Sequence, residues 1–510
     1  MRSIRSKHSL SPSVFPGIPV AAAIAALIIP ALSATPHADQ ASAEPRPAAP
    51  ISWQSCPATA GTATDAGSTP QCARLPVPLD HDHPEGRTIG LALVRHPATG
   101  ASRGTIVVNA GTQAGGGTAF VSQYGQQLFG RLNKQFDIVG VDTRGTGQSV
   151  PAVRCTTHEQ DRAIEAPIPA FQSTADRPTR LAEATKITQR CQERSGSILP
   201  YLSTTADARD LDIVRTALGE QRLRYIGVSN GTLLGQEYAD RFPDRVGAMV
   251  LDSPLDISEY MNHPLRFDRD QMVASEHTLQ TFLSWCADNP QSCSFGGDDP
   301  RQAFERLVMR MEDNRKAHPE RDDIVTGGNL LQYVLGQLIF PSAWPDLAKT
   351  LAAMESQPLP LAPLQHGENT VLAEFLSHAC LDKRLPEDLR AYDRQLRAAS
   401  RVSPHFGSMF GYGQLKCRQW PAEPVDRNDG PWTHTGTGRT LVVIGTDDPL
   451  APASGAVRVR NRAHAASIQV AGSGHMQLGK TPCVDSEVAD FFLGRAVPRR
   501  ASCSVPLPTK

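Results

Sequence analysis

Short apolar runs bounded by glycine, proline and small polar residues recur along this chain, and each is a candidate buried strand. Ile89 to Val94, Thr105 to Val108, Phe136 to Val141, Leu223 to Ile226, Val246 to Leu251, Leu441 to Gly445 and Ser467 to Val470 have this form. Between them the period lengthens to that of a helix. Leu211, Val214 and Leu218 fall at i, i+3, i+7 behind the capping hydroxyls of Thr204 and Thr205 and before Gly219, and Leu234, Tyr238 and Phe242 fall at i, i+4, i+8 before Pro243. A helical stretch from Pro452 to Ala463 separates the last two strands. Alternation of this kind predicts an α/β fold with a mostly parallel, doubly wound sheet.

The rhythm changes in two places. From about Asp256 to Pro404 strand-like runs become scarce and helical patterns dominate, as at Thr281 to Cys286 and Ala303 to Val308. This predicts a helical cap, residues 256–404, inserted between two parts of a core, residues 51–255 and 405–510, where it would roof the site and control entry. At the N-terminus Arg2, Arg5 and Lys7 precede an Ala-rich apolar segment from Val20 to Leu32 and the small residues Ser33 and Ala34. The run is shorter than the roughly 20 residues of a bilayer crossing and contains Pro30, so residues 1–34 read as a signal peptide. No cysteine precedes Cys56 to carry a lipid and no Arg-Arg pair occurs within residues 1–34, which predicts the general secretory route and a secreted, extracellular product. Residues 35–50, rich in Ala, Pro and Ser, are expected to be a disordered spacer or pro-segment.

Charge and cysteine content narrow the partners. The 51 Lys and Arg balance 52 Asp and Glu, so there is no footprint for nucleic acid or an anionic membrane, and a small molecule or peptide is the expected partner. Ten cysteines form an even set in a chain expected to be exported. Sequence order suggests Cys56 with Cys72, Cys155 with Cys191, Cys286 with Cys293, Cys380 with Cys417 and Cys483 with Cys503, although spacing alone does not fix connectivity. No Cys-x-x-Cys pair points to zinc. The cluster His81-Asp82-His83 reads as a solvated turn, because three adjacent ligands do not converge on one ion without a distant partner. The Gly-rich loops after Val108 and Val141 lack the phosphate-binding pattern, and neither makes a complete dinucleotide fingerprint, so no cofactor is expected.

The chemistry concentrates at Gly227-Val228-Ser229-Asn230-Gly231. A Gly-x-Ser-x-Gly segment between a strand and a helix is the pattern of a nucleophile elbow, in which flanking glycines leave room where a Cβ would clash. A serine hydroxyl needs a neutral imidazole to take its proton, and that imidazole needs a carboxylate to fix its tautomer. In the order Ser, acid, His, the residues at later strand ends are Ser229, Asp448 and His475. Asp448 is preferred to its neighbour Asp447 because Pro449 holds it extended. His475 alone among 15 histidines follows a late strand through a Gly-Ser-Gly turn. Oxyanion donors are expected from the Asn230 amide and, in Gly111-Thr112-Gln113, the Thr112 amide.

These segments, together with Phe136 to Gly145, Asp244-Arg245-Val246, Gly445 to Pro449, Gly474-His475, Trp285-Cys286, Cys417 to Pro421 and the terminal Cys483 and Cys503, resemble the secreted tripeptidyl aminopeptidases, relatives of proline iminopeptidase. The resemblance runs from about Trp53 to the C-terminus. It implies an α/β-hydrolase fold and a serine exopeptidase that releases tripeptides from free N-termini without a metal, with Ser229, Asp448 and His475 matching nucleophile, acid and base. The chain departs from the family's Gly-Gly-Pro-Gly at Gly111 to Ala114, and from a common aromatic at Asn230. A carboxylesterase with the same three residues, or a binding protein that kept the fold, are the alternatives. An aminopeptidase further needs a cap carboxylate for the substrate ammonium, for which Glu259, Asp268, Asp270 and Asp382 are candidates.

Overall fold

The computed structural model describes residues 50–57, 69–111, 116–155, 169–318, 324–356, 370–433 and 439–508. The expected signal peptide, nearly all of the spacer and Thr112 lie outside the described residues.

Among the described residues ten strands form one sheet: β1 (Gln54–Ser55), β2 (Gln71–Pro78), β3 (Thr88–His96), β4 (Thr105–Asn109), β5 (Asp137–Val141), β6 (Leu223–Val228), β7 (Val246–Asp252), β8 (Arg439–Asp447), β9 (Ala466–Ser473) and β10 (Arg500–Ser504). Their spatial order is β1-β2-β3-β5-β4-β6-β7-β8-β9-β10. From β5 to β10 every pairing is parallel, while β1, β2 and β3 run antiparallel to their neighbours. The seven strands read from apolar runs are all present.

Both faces of this sheet are buried, which is why its central strands are apolar without alternation. Val107, Tyr225, Leu251 and Val442 point into one core, shared with the helices Thr204–Ala217 and Gly231–Arg241. Their neighbours Ile106, Ile226, Val250 and Leu441 point into the other, shared with the helices Gly116–Asn133 and Pro482–Phe492.

From Ile257–Asn262 to Leu415–Arg418 the described elements are all helical. Several of these helices enclose a third core around Phe282, Phe304, Leu331 and Trp344. The boundary is not clean: Leu376, Leu381 and Cys417 join the sheet's first core.

Three local readings need correction. His81 does not sit in a solvated turn: its side chain is buried, with Nε2 2.9 Å from Asp210 Oδ1 and from Arg144. Arg144, fully buried, also forks onto Asp210 at 2.7 and 2.8 Å. Asp82 and His83, the latter paired with Asp80, stay exposed. The cap of the helix Thr204–Ala217 is Ser203, whose hydroxyl accepts from the Ala206 N–H, while the Thr204 hydroxyl donates to Asp382. The glycine run at 115–117 is not all loop, since a helix begins at Gly116.

Five disulfides join the cysteines in the pairs suggested by sequence order. No helix of the described residues is long and apolar enough to cross a membrane.

Candidate active site

Ser229 follows β6 at φ 54°, a left-handed conformation that costs a non-glycine residue on the order of 1–2 kcal/mol. The turn closes so tightly that a Cβ at Gly231 would lie 2.0 Å from the Asn109 carbonyl oxygen, and one at Gly227 would lie 2.6 Å from that of Gly231. Only glycine fits at either position. The Ser229 N–H donates to the Asp252 carbonyl at 3.0 Å, and its own carbonyl accepts from the Thr232 N–H at 2.9 Å. Asn230 caps the following helix, so its N–H belongs to the first turn, where donors have no intrahelical acceptor.

Asp448 and His475 meet just past the ends of β8 and β9. The Nδ1–H of His475 lies 2.9 and 3.0 Å from the two Asp448 oxygens, and Asp448 Oδ1 also accepts from the Leu450 and Ala451 N–H groups at 2.9 and 2.8 Å. These bonds fix the carboxylate and thereby the tautomer of the imidazole, leaving Nε2 as its acceptor. That Nε2 is buried and has no hydrogen-bond partner among the described residues. Asp447 turns away, about a third exposed, 3.5 Å from His277.

Ser229 and His475 border one cleft of about 1060 Å³. Its walls are largely apolar, from Phe120, Leu128, Phe340 and Leu450, and one side is the C-terminal segment from Val505 to Pro508. None of the four candidate ammonium anchors lines it. Glu259 pairs with Arg266, Asp268 accepts from Gln414 at 2.7 Å, and Asp270 borders a separate cavity of about 390 Å³ beside His277 and Asp447. Asp382 accepts from the Thr204 N–H and hydroxyl at 3.0 and 2.7 Å, and burial pushes its carboxyl up to about 6 against those bonds. Among the described residues no group of three or more His, Cys, Asp or Glu could hold a metal ion.

A sequence model of the alpha/beta hydrolase fold matches residues 113–480. This chain belongs to the α/β-hydrolase family. It is 28% identical over 480 residues to the serine protease Hip1 of Mycobacterium tuberculosis, spanning 89% of this chain and 91% of that one. It is 29% identical to the tripeptidyl aminopeptidase of Streptomyces lividans, spanning 89% and 86%, and 29% identical to the carboxylesterase B of Mycobacterium tuberculosis, spanning 91% of each. The resemblance to tripeptidyl aminopeptidases therefore extends over most of the chain.

Sequence reasoning missed two residues of this candidate site. Asp252, at the end of β7, is buried, and its carboxylate accepts from the N–H groups of Gln477 and Leu478 at 2.9 and 2.8 Å. Burial raises its carboxyl above the ordinary value, against those backbone bonds. Ser253 accepts from the Met476 N–H at 3.0 Å. The two clamp the loop carrying His475, and the Asp252 carbonyl holds the elbow as well. Ser253 at φ 51° and Met476 at φ 60° share the backbone conformation of Ser229, so three of the four non-glycine residues with positive φ among the described residues cluster here. The available signal was Asp252-Ser253-Pro254 closing the strand beside the elbow.

Proposed function

We propose that this α/β hydrolase is a secreted serine peptidase that releases short peptides from N-termini through an acyl-enzyme at Ser229. The observation that carries the reading is the Asp448–His475 pair, its Nε2 unpartnered among the described residues, in a cleft that both His475 and Ser229 border. In the proposed sequence Nε2 takes the Ser229 proton as Oγ adds to the scissile carbonyl, and the Asp448 carboxylate stabilises the imidazolium. The developing oxyanion is received by the Asn230 amide and by that of Thr112. The imidazolium then gives its proton to the leaving amine. Water, activated by the same Nε2, hydrolyses the ester and restores Ser229.

A cleft of this volume suits a peptide of a few residues, and the serine protease and aminopeptidase relatives support that class. Residues 256–404 are the proposed cap over it, and residues 1–34 the proposed export signal. Five disulfides fit an oxidising compartment. The carboxylesterase reading is favoured by one observation: no carboxylate lines the cleft among the described residues to receive a substrate ammonium.

Fluorophosphonate labelling of the folded protein, with and without Ser229→Ala, tests the nucleophile; label surviving in the variant removes Ser229. Rates on N-terminally free and N-acetylated tripeptide anilides and on p-nitrophenyl butyrate then decide the class. A strong preference for the free peptide is expected, and equal rates on free and blocked peptides would sink the exopeptidase reading.

A further inference from the structure

Lys480 is the one Asp, Glu, Lys or Arg that borders the Ser229 cleft among the described residues, and no carboxylate is bonded to it. Its Nζ donates to the carbonyl oxygens of His475 at 2.6 Å and Ile339 at 3.3 Å and lies 5.4 Å from the centre of the Phe340 ring. Two of its three N–H bonds are thereby used. The carboxylates that attract it, Asp448 and Asp252, are already committed to His475 and to backbone donors of the neighbouring loops.

A cation with only neutral carbonyl partners is poorly compensated for its lost water. Burial accordingly lowers its ammonium from the ordinary 10.5 to about 8, against the attraction of those two carboxylates. The surrounding walls are apolar, so an anion entering the cleft would meet this one charge in a poorly screening environment.

We propose that Lys480 sets the specificity of this cleft by receiving a substrate carboxylate on its third N–H, so that compounds with an acidic group beside the scissile bond are preferred. The inference rests on the reading of Ser229 as nucleophile. It names a substrate class that fits both the peptidase and the esterase alternatives. The carboxylate can lie on the acyl side, as a Glu side chain does, or on the leaving-group side, and the cleft's single cation recognises either by the same bond.

The test compares isosteric pairs in the full-length protein: tripeptide anilides ending in Glu or Gln for the acyl side, and peptides with Asp or Asn after the scissile bond for the leaving side. A charge-assisted bond predicts a roughly ten- to hundredfold higher kcat/KM for the acidic member of one pair, expressed mainly in KM. The pair that shows it identifies the side. Lys480→Met is expected to abolish the preference and Lys480→Arg to keep most of it. The preference is also expected to fade as pH rises past about 8, where the ammonium, acted on by the Asp448 and Asp252 carboxylates and bonded to the carbonyl of His475, loses its proton.

No preference in either pair, or an equal loss on charged and neutral substrates in Lys480→Met, would overturn the proposal and leave Lys480 a tie between the His475 loop and Ile339. Should Lys480→Met not fold, inhibition of the unaltered protein by glutarate against glutaramide decides, with tighter binding of glutarate by tenfold or more expected and equal binding fatal. Fluorophosphonate labelling keeps the two readings apart. Failure to label Ser229 removes the nucleophile, whereas labelling without charge preference removes only the role of Lys480.

Discussion

Ser229 in its left-handed turn and Glu237 in the helix that follows it show how differently single residues can be strained. The serine's strain is local and is held by the Asp252 carbonyl and by neighbours cut down to glycine. Glu237 stores its strain as charge. It is buried, with Oε2 accepting from the Trp432 indole at 2.7 Å and from the Asn428 amide at 3.1 Å, while Oε1 has no partner among the described residues. Burial pushes its carboxyl from 4.5 up to about 7, outweighing the bonds that lower it. Because the folded value lies above the unfolded one, the stabilisation is present below about pH 4.5 and is lost as pH rises through about 7, a change of roughly 3 kcal/mol. Glu237→Gln cannot ionise and is expected to flatten this dependence. Thermal melts at about pH 5 and pH 8 should then differ by several degrees less in the variant, and an unchanged difference would show that Glu237 is not its source.

At the scale of elements, the clamp from β7 to the loop after β9 is what turns three separate strand ends into one site. Asp252 gives its carbonyl to the elbow and its carboxylate to the His475 loop, so its removal should misplace Nε2 while leaving Ser229 and the cleft in being. Asp252→Ala is expected to lower kcat about tenfold to hundredfold with little change in KM, and Asp252→Asn, which keeps one acceptor oxygen, to fall between. A kcat equal to that of the unaltered protein would mean the loop is held elsewhere. This clamp was not legible in the sequence, because nothing in Asp252-Ser253-Pro254 states which distant backbone N–H groups it meets. The central strands were legible because burial on both faces makes them continuously apolar. β2 and β10 were not. β2 contains Pro76 and Pro78, tolerated because β1 pairs only with Gln71 and Cys72 and leaves that end of the edge free, and β10 alternates short side chains without an apolar run. That Asp448 rather than Asp447 meets His475 agrees with the extended backbone expected before Pro449. His81 was misread because its partners Arg144 and Asp210 are far along the chain.

Across the whole molecule, the helical segment is joined to the sheet by more than its two chain crossings. Trp285 donates its indole N–H to the Pro508 carbonyl at 2.9 Å, and Leu507 packs on the helical core, so the C-terminal segment that walls the cleft spans from β10 to a helix of the insertion. The disulfides distribute unevenly over this architecture. Cys155–Cys191 and Cys380–Cys417 close loops of 36 and 37 residues and sit in the core beneath the sheet, whereas Cys286–Cys293 closes 7 residues within the insertion. If the bridges act chiefly by restricting the unfolded chain, the long loops contribute about 4 kcal/mol each and the short one less. Replacing each pair by serine should therefore shift the urea midpoint roughly one and a half times as far for either long loop as for the short one. The helical segment has its own core, so loss of Cys286–Cys293 is expected to leave fluorophosphonate labelling of the folded protein intact below the transition. Loss of Cys380–Cys417 should disturb it, because Cys380 and Cys417 pack with Leu376 and Leu381 against the sheet. Equal midpoint shifts for all three pairs would show that native packing around the sulfurs, not loop length, sets their worth.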